Sequence, residues 1–123
     1  MGGNPNQAVK VMNDAASYNG PSIIVAYSPC ISQGILKGMQ NSIEEEKLAV
    51  ESGYFPIFHY DPRDGKFILD AKVDFSKYDD FLEGEDRYRM LKIVNADKYR
   101  ELLDKNKMNA IERYKYYEDL ANK

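Results

Sequence analysis

With 123 residues, 43% of them apolar, and 17 Lys and Arg against 20 Asp and Glu, the chain has the size of one small globular domain and no basic excess to attract a phosphate backbone. No run approaches the roughly 20 consecutive apolar residues that a membrane-spanning helix requires, and Met1–Asn6 lacks the charged-then-apolar pattern of a secretion signal. The expectation is therefore a cytoplasmic chain with neither nucleic acid nor membrane as partner, and its single cysteine, Cys30, has no internal partner for a disulfide.

In chain order, Asn4 and Pro5 form an N-cap and first helical residue, and Ala8, Val9, Met12, Ala15 and Ala16 follow at helical spacing, which predicts a helix from Pro5 to Tyr18. Asn19-Gly20-Pro21 ends it. Ser22-Ile23-Ile24-Val25-Ala26-Tyr27 is continuously apolar and β-branched instead of alternating, the pattern of a parallel strand covered on both faces. Ser42-Ile43-Glu44-Glu45 has capping-box spacing and opens a helix from Ile43 to Ser52 that Gly53 stops. An aromatic strand over Tyr54–Tyr60 comes next, with Pro56 marking an edge, a bulge or a strand start. Strand, helix and strand together predict a βαβ unit, and Asp64-Gly65 predicts a short hairpin into Phe67-Ile68-Leu69. Asp70–Asp80 reads as a charged connector too polar for a core element. Beyond it lie a helical stretch over Phe81–Ile93 and, after the cap Asn95, a long helix from Ala96 to Ala121 with Tyr99, Leu102, Leu103, Asn106, Ala110, Tyr114, Tyr117 and Ala121 on one stripe.

A strand as apolar as Ser22–Tyr27 needs sheet neighbours and helices on both faces, and the sequence supplies too few. Each Val, Ile or Leu left in water forgoes about 1.5–3 kcal/mol, so partners are expected outside this chain. Cys30 lies just past the carboxyl end of that strand, where open α/β sheets place ligand sites. Three readings of it stay open: a buried structural cysteine, a thiolate nucleophile with His59 as base, or one metal ligand. Zinc and iron–sulfur clusters typically take four ligands, so a metal reading requires cysteines from elsewhere.

The run Ser17-Tyr18-Asn19-Gly20-Pro21-Ser22-Ile23-Ile24-Val25-Ala26-Tyr27-Ser28-Pro29-Cys30-Ile31-Ser32-Gln33-Gly34, followed in order by Lys37-Gly38-Met39, Glu46-Lys47-Leu48-Ala49-Val50-Glu51-Ser52-Gly53-Tyr54 and Tyr60-Asp61-Pro62-Arg63, resembles the late segment of pyruvate:ferredoxin (flavodoxin) oxidoreductases. The resemblance implies an α/β fold: residues 1–70 would be the end of a parallel-sheet, thiamine diphosphate-binding domain, and 71–123 a helical carboxy-terminal extension. It implies that Cys30 is one ligand of a four-iron, four-sulfur (4Fe-4S) cluster whose other ligands lie upstream. The complete enzyme would carry thiamine diphosphate and magnesium, neither bound by residues identifiable here. It would convert pyruvate with coenzyme A and pass electrons to ferredoxin or flavodoxin. The implied partner of this segment is the remainder of the oxidoreductase. No catalytic residue is assigned, so the chain alone is not expected to be catalytic. His59 stands where the family more often has Arg, which implies a packing or surface role. The alternative is a separate small, non-catalytic binding or structural subunit.

Overall fold

Asn4 caps the first helix as its side chain implies: Oδ1 accepts from the Gln7 amide at 3.1 Å, and Pro5 occupies the first turn, where its missing N–H costs nothing. The computed structural model, which describes residues 1–123, continues from this helix α1 (Pro5–Ser17) to α2 (Ser42–Glu51), an antiparallel hairpin β1 (Phe58–Asp61) and β2 (Lys66–Leu69), and the helices α3 (Tyr78–Gly84), α4 (Asp86–Val94) and α5 (Ala96–Ala121).

The parallel strand expected over Ser22–Tyr27 does not form here, and the βαβ unit is consequently not closed. The sheet is two-stranded and antiparallel. No main-chain amide or carbonyl between Pro21 and Pro29 takes part in a backbone–backbone hydrogen bond, and Ile23 and Val25 stand 90% and 75% exposed. The physical reason is the one the pattern carries. A strand that needs neighbours on both edges has none within reach in this chain.

Other boundaries also move. The capping box does not form: a 3-10 turn over Met39–Asn41 precedes α2, Ser42 falls inside the first turn, and Glu45 turns inward, only 7% exposed. The aromatic strand begins at Phe58, with Pro56 just ahead of it, where no ladder donor is needed. The stretch over Phe81–Ile93 is two helices, interrupted at Glu85, whose backbone is extended (φ −89°, ψ 117°). Tyr78, in the connector expected to stay outside the core, is 1% exposed. The hairpin turn forms as expected, with Gly65 N–H donating to Asp61 C=O at 2.9 Å.

The core is where α2, α3 and α5 meet: Ala49, Tyr78, Phe81, Leu82 and Ala110. Around it Tyr54 lies 4.4 Å from the Phe81 ring, and Tyr27 packs 6.2 Å from Phe81 and 5.7 Å from Phe55. α5 starts and ends where the cap Asn95 and the stripe place it. Tyr99 and Ala110 of the stripe are buried, and Tyr117 stacks on Phe58 and Phe67 of the hairpin at 4.9 and 5.9 Å, while Leu102 and Ala121 are exposed. Only 13 of 123 residues are buried, because α1 and Pro21–Ala26 have nothing packed over their outer faces.

Candidate functional site

Cys30 opens a tight turn. The Gly34 amide donates to its carbonyl at 2.8 Å, which folds Ile31–Gln33 back over the side chain. The thiol is held below its ordinary pKa first by the Gln33 amide, then by the Ser32 amide, with the Arg87 guanidinium adding to them against a modest opposing effect of desolvation. The lowered pKa favours the thiolate, the form that binds metals or attacks electrophiles.

What positions this turn is a short stretch of backbone pairing. Ile35 and Glu85 form an antiparallel bridge, Leu36 N–H donates to Gly84 C=O at 2.8 Å, and Asp86 N–H donates to Gly34 C=O at 3.2 Å. The helix break at Glu85 thus exposes main-chain groups that α3 and α4 would otherwise consume. On the other flank the Tyr27 hydroxyl donates to Glu85 Oε1 at 2.6 Å, and Arg87 Nε stands 3.7 Å from Glu85 Oε2. Burial, with the Glu85 carboxylate next, pushes the Tyr27 phenol well above its usual range, so it stays a donor.

A second carboxyl lies behind the first. Glu45 Oε1 is buried with no hydrogen-bond partner, and a Cβ placed on Gly84 would sit 2.6 Å from it, so glycine there makes room for the side chain. Burial, then the charge of Glu85, pushes Glu45 up to about 7, with Lys37 pulling the other way. The sign follows from linkage: the folded carboxyl keeps its proton over a range in which the unfolded one, near 4.3, has lost it. Stability therefore falls as pH rises through that window, by about 2 kcal/mol between pH 5 and 8. Glu45→Gln is expected to flatten this slope. Urea unfolding midpoints of both proteins at the two pH values check it, and an equal slope in the variant counts against a protonated Glu45.

His59 is not brought to Cys30. Its Nδ1 lies 2.8 Å from Asp70 Oδ1 and its Nε2 3.1 Å from Lys10 Nζ, while Gln7 also donates to Asp70 at 2.8 Å. With Lys10 donating to Nε2, Nδ1 carries the proton toward Asp70, and both ring nitrogens are occupied in tying α1 to the hairpin. No base is left for a Cys–His nucleophile. No group of three or more His, Cys, Asp or Glu is arranged to hold a metal ion. An open groove of about 800 Å³ runs between α1, Pro21–Tyr27, β1 and the end of α5, lined among others by Val11, Ile24, Phe55 and Tyr117. Sequence reasoning missed Tyr27, Glu45, Glu85 and Arg87. No local signal in the sequence marks them, since Phe81–Ile93 reads as one helical stretch and the break at Glu85 appears only in the fold.

Geometry by itself defines a small α/β component with one open apolar face and a single free thiol, Cys30. No protein-family model matches the chain. It is 42% identical, over 98% of its length, to a pyruvate:ferredoxin oxidoreductase of Moorella thermoacetica. It is 38% identical over 99% of its length to a pyruvate-flavodoxin oxidoreductase of Enterobacter agglomerans, and 41% identical over 76% to a mitochondrial NADP-dependent pyruvate dehydrogenase of Euglena gracilis. The chain accounts for 11%, 11% and 5% of the length of these relatives. It belongs, as a carboxy-terminal segment, to the pyruvate:ferredoxin/flavodoxin oxidoreductase family.

Proposed function

We propose that this segment works within a cytoplasmic oxidoreductase that converts pyruvate and coenzyme A to acetyl-coenzyme A, carbon dioxide, a proton and two electrons, the electrons leaving to ferredoxin or flavodoxin. Residues 1–70 complete a thiamine diphosphate-binding domain and 71–123 extend it. Cys30 supplies one thiolate of a 4Fe-4S cluster, which stores and relays single electrons when bound. The observation that carries this role is the Gly34-closed turn at Cys30, a free, half-buried cysteine whose thiol the Gln33 and Ser32 amides hold below its ordinary pKa. Amide donors around a ligating sulfur also lower its charge and raise the potential of the centre it binds.

The same reading accounts for the bare stretch before the cysteine. A row of unpaired amides and carbonyls flanked by exposed Ile23, Ile24 and Val25 suits a strand whose neighbours lie in the remainder of the enzyme. Closing that sheet would seat Cys30 at the carboxyl end of a central strand.

The test is Cys30→Ser in the complete oxidoreductase. Electron paramagnetic resonance of the reduced enzyme is expected to lose or reshape one 4Fe-4S signal, with electron delivery to ferredoxin falling at least about tenfold, since a soft thiolate is replaced by a hard hydroxyl that ligates the cluster iron poorly. An unchanged spectrum would remove the role from Cys30.

A further inference from the structure

Glu85 is 2% exposed, and carboxylates are almost never this buried without a specific task, because stripping one of water costs several kcal/mol unless it is paired. An apolar residue of similar volume would fill the same space without that cost. What the carboxylate does is bond. Oε1 accepts the Tyr27 hydroxyl at 2.6 Å, within the short range of charge-assisted hydrogen bonds, and Oε2 faces Arg87 Nε at 3.7 Å.

Two independent contacts of one residue fall on opposite flanks of Cys30. The side chain reaches Tyr27, upstream of the cysteine, and the main chain bridges Ile35, downstream of it. Neighbouring bonds reinforce the second contact, from Leu36 N–H to Gly84 C=O and from Asp86 N–H to Gly34 C=O. Tyr27 cannot swing away, because its ring is packed against Tyr54, Phe55 and Phe81 at 5.9, 5.7 and 6.2 Å. The loop between these two anchors contains Ser28, the buried Pro29 and the Cys30 turn, and its ends are set by these two anchors. A ligand held within a few tenths of an ångström needs such support from outside its own turn.

We propose that Glu85 is the positioning residue for Cys30, clamping the segment before it through the Tyr27 hydroxyl and the segment after it through Ile35. The inference deepens the cluster role of Cys30 and rests on it for its functional meaning, but the clamp itself is readable without the cluster.

The experiment uses the complete oxidoreductase with Tyr27→Phe, Glu85→Leu, the double variant and Glu85→Gln, which keeps an acceptor oxygen for Tyr27. Amide hydrogen exchange is followed over Cys30–Gly34 and over α5, and the 4Fe-4S signals are recorded with their midpoint potentials. Tyr27→Phe and Glu85→Leu are each expected to speed exchange over Cys30–Gly34 on the order of tenfold, as for the loss of one hydrogen bond to a charged group. Glu85→Leu and the double variant should match, α5 should stay protected, and the signal that Cys30→Ser removes should shift in potential. Glu85→Gln should restore most of the protection. Unchanged exchange at Cys30–Gly34, acceleration spread equally over α5, or, where Cys30→Ser does remove a cluster signal, an unmoved potential of that cluster overturns the proposal. If Cys30→Ser leaves every cluster signal intact, the cluster role fails, and the exchange data still decide the clamp.

Discussion

Replacing Phe81 by alanine is expected to cost about 3–5 kcal/mol, the range for truncating a fully buried aromatic ring. Phe81 is 0% exposed and belongs to the five-residue buried cluster that joins α2, α3 and α5. Its ring lies 4.4 Å from that of Tyr54 and 6.2 Å from that of Tyr27, so truncation removes the surface against which both rings pack. Against a domain stability of roughly 5–15 kcal/mol, and with so few other residues buried, the loss leaves little margin. Urea unfolding followed by circular dichroism at pH 5, where the Glu45 carboxyl is protonated in the fold, measures it directly. A loss below about 1 kcal/mol would mean that the cavity collapses and that the core is looser than the packing indicates. Because the Tyr27 ring loses a wall, exchange over Cys30–Gly34 should rise in the same variant.

Gly53→Ala is expected to destabilise by about 2–5 kcal/mol. Gly53 ends α2 with φ at 81°, a conformation that costs an alanine roughly 1–2 kcal/mol. A Cβ there would also stand 2.4 Å from Val73 Cγ1 and 2.7 Å from Phe75 Cε1, and forcing extra atoms into a packed site costs about 1–3 kcal/mol more. Gly65→Ala is the matched control: φ is 69° at the hairpin turn, but nothing lies within 4 Å of its Cβ position. The difference between the two variants isolates the packing contribution. Equal losses would show that Val73 and Phe75 move aside without cost.

The parts of the fold that local chemistry decides were legible in the sequence. Asn4, Asn95 and Gly53 set helix ends whose signals lie within one turn of the chain, and α5 follows its apolar stripe from end to end. Asp64-Gly65 set the hairpin for the same reason. Where tertiary contacts outweigh local preference, the reading failed. Ser42 and Glu45 have the spacing of a capping box, yet Glu45 is drawn inward beside Gly84. Ser22–Tyr27 reads as a strand, yet no main-chain group between Pro21 and Pro29 is paired with backbone in this chain. Of the candidate site, Cys30 was visible because it is the sole cysteine, just past a stretch that reads as a strand. Glu85 was not, since one acidic residue among 20 has no distinguishing local pattern. Its role arises from a helix break that brings its side chain and main chain to two places at once.

The open stretch between Pro21 and Pro29 has a further consequence for the segment handled apart from the rest of its enzyme. From Ala15 to Leu36 no residue carries a charge, so nothing repels a second copy approaching the bare Ile23–Val25 edge. Both sides of that backbone are open, and identical strands can stack on it in register, each copy presenting the same edge to the next. The two prolines bound the stackable length, because neither can donate to a ladder. Solubility of the isolated segment should therefore respond to a single lysine at Val25 more strongly than to any change in the helical half, which makes this strand the natural place to guard when the piece is expressed alone.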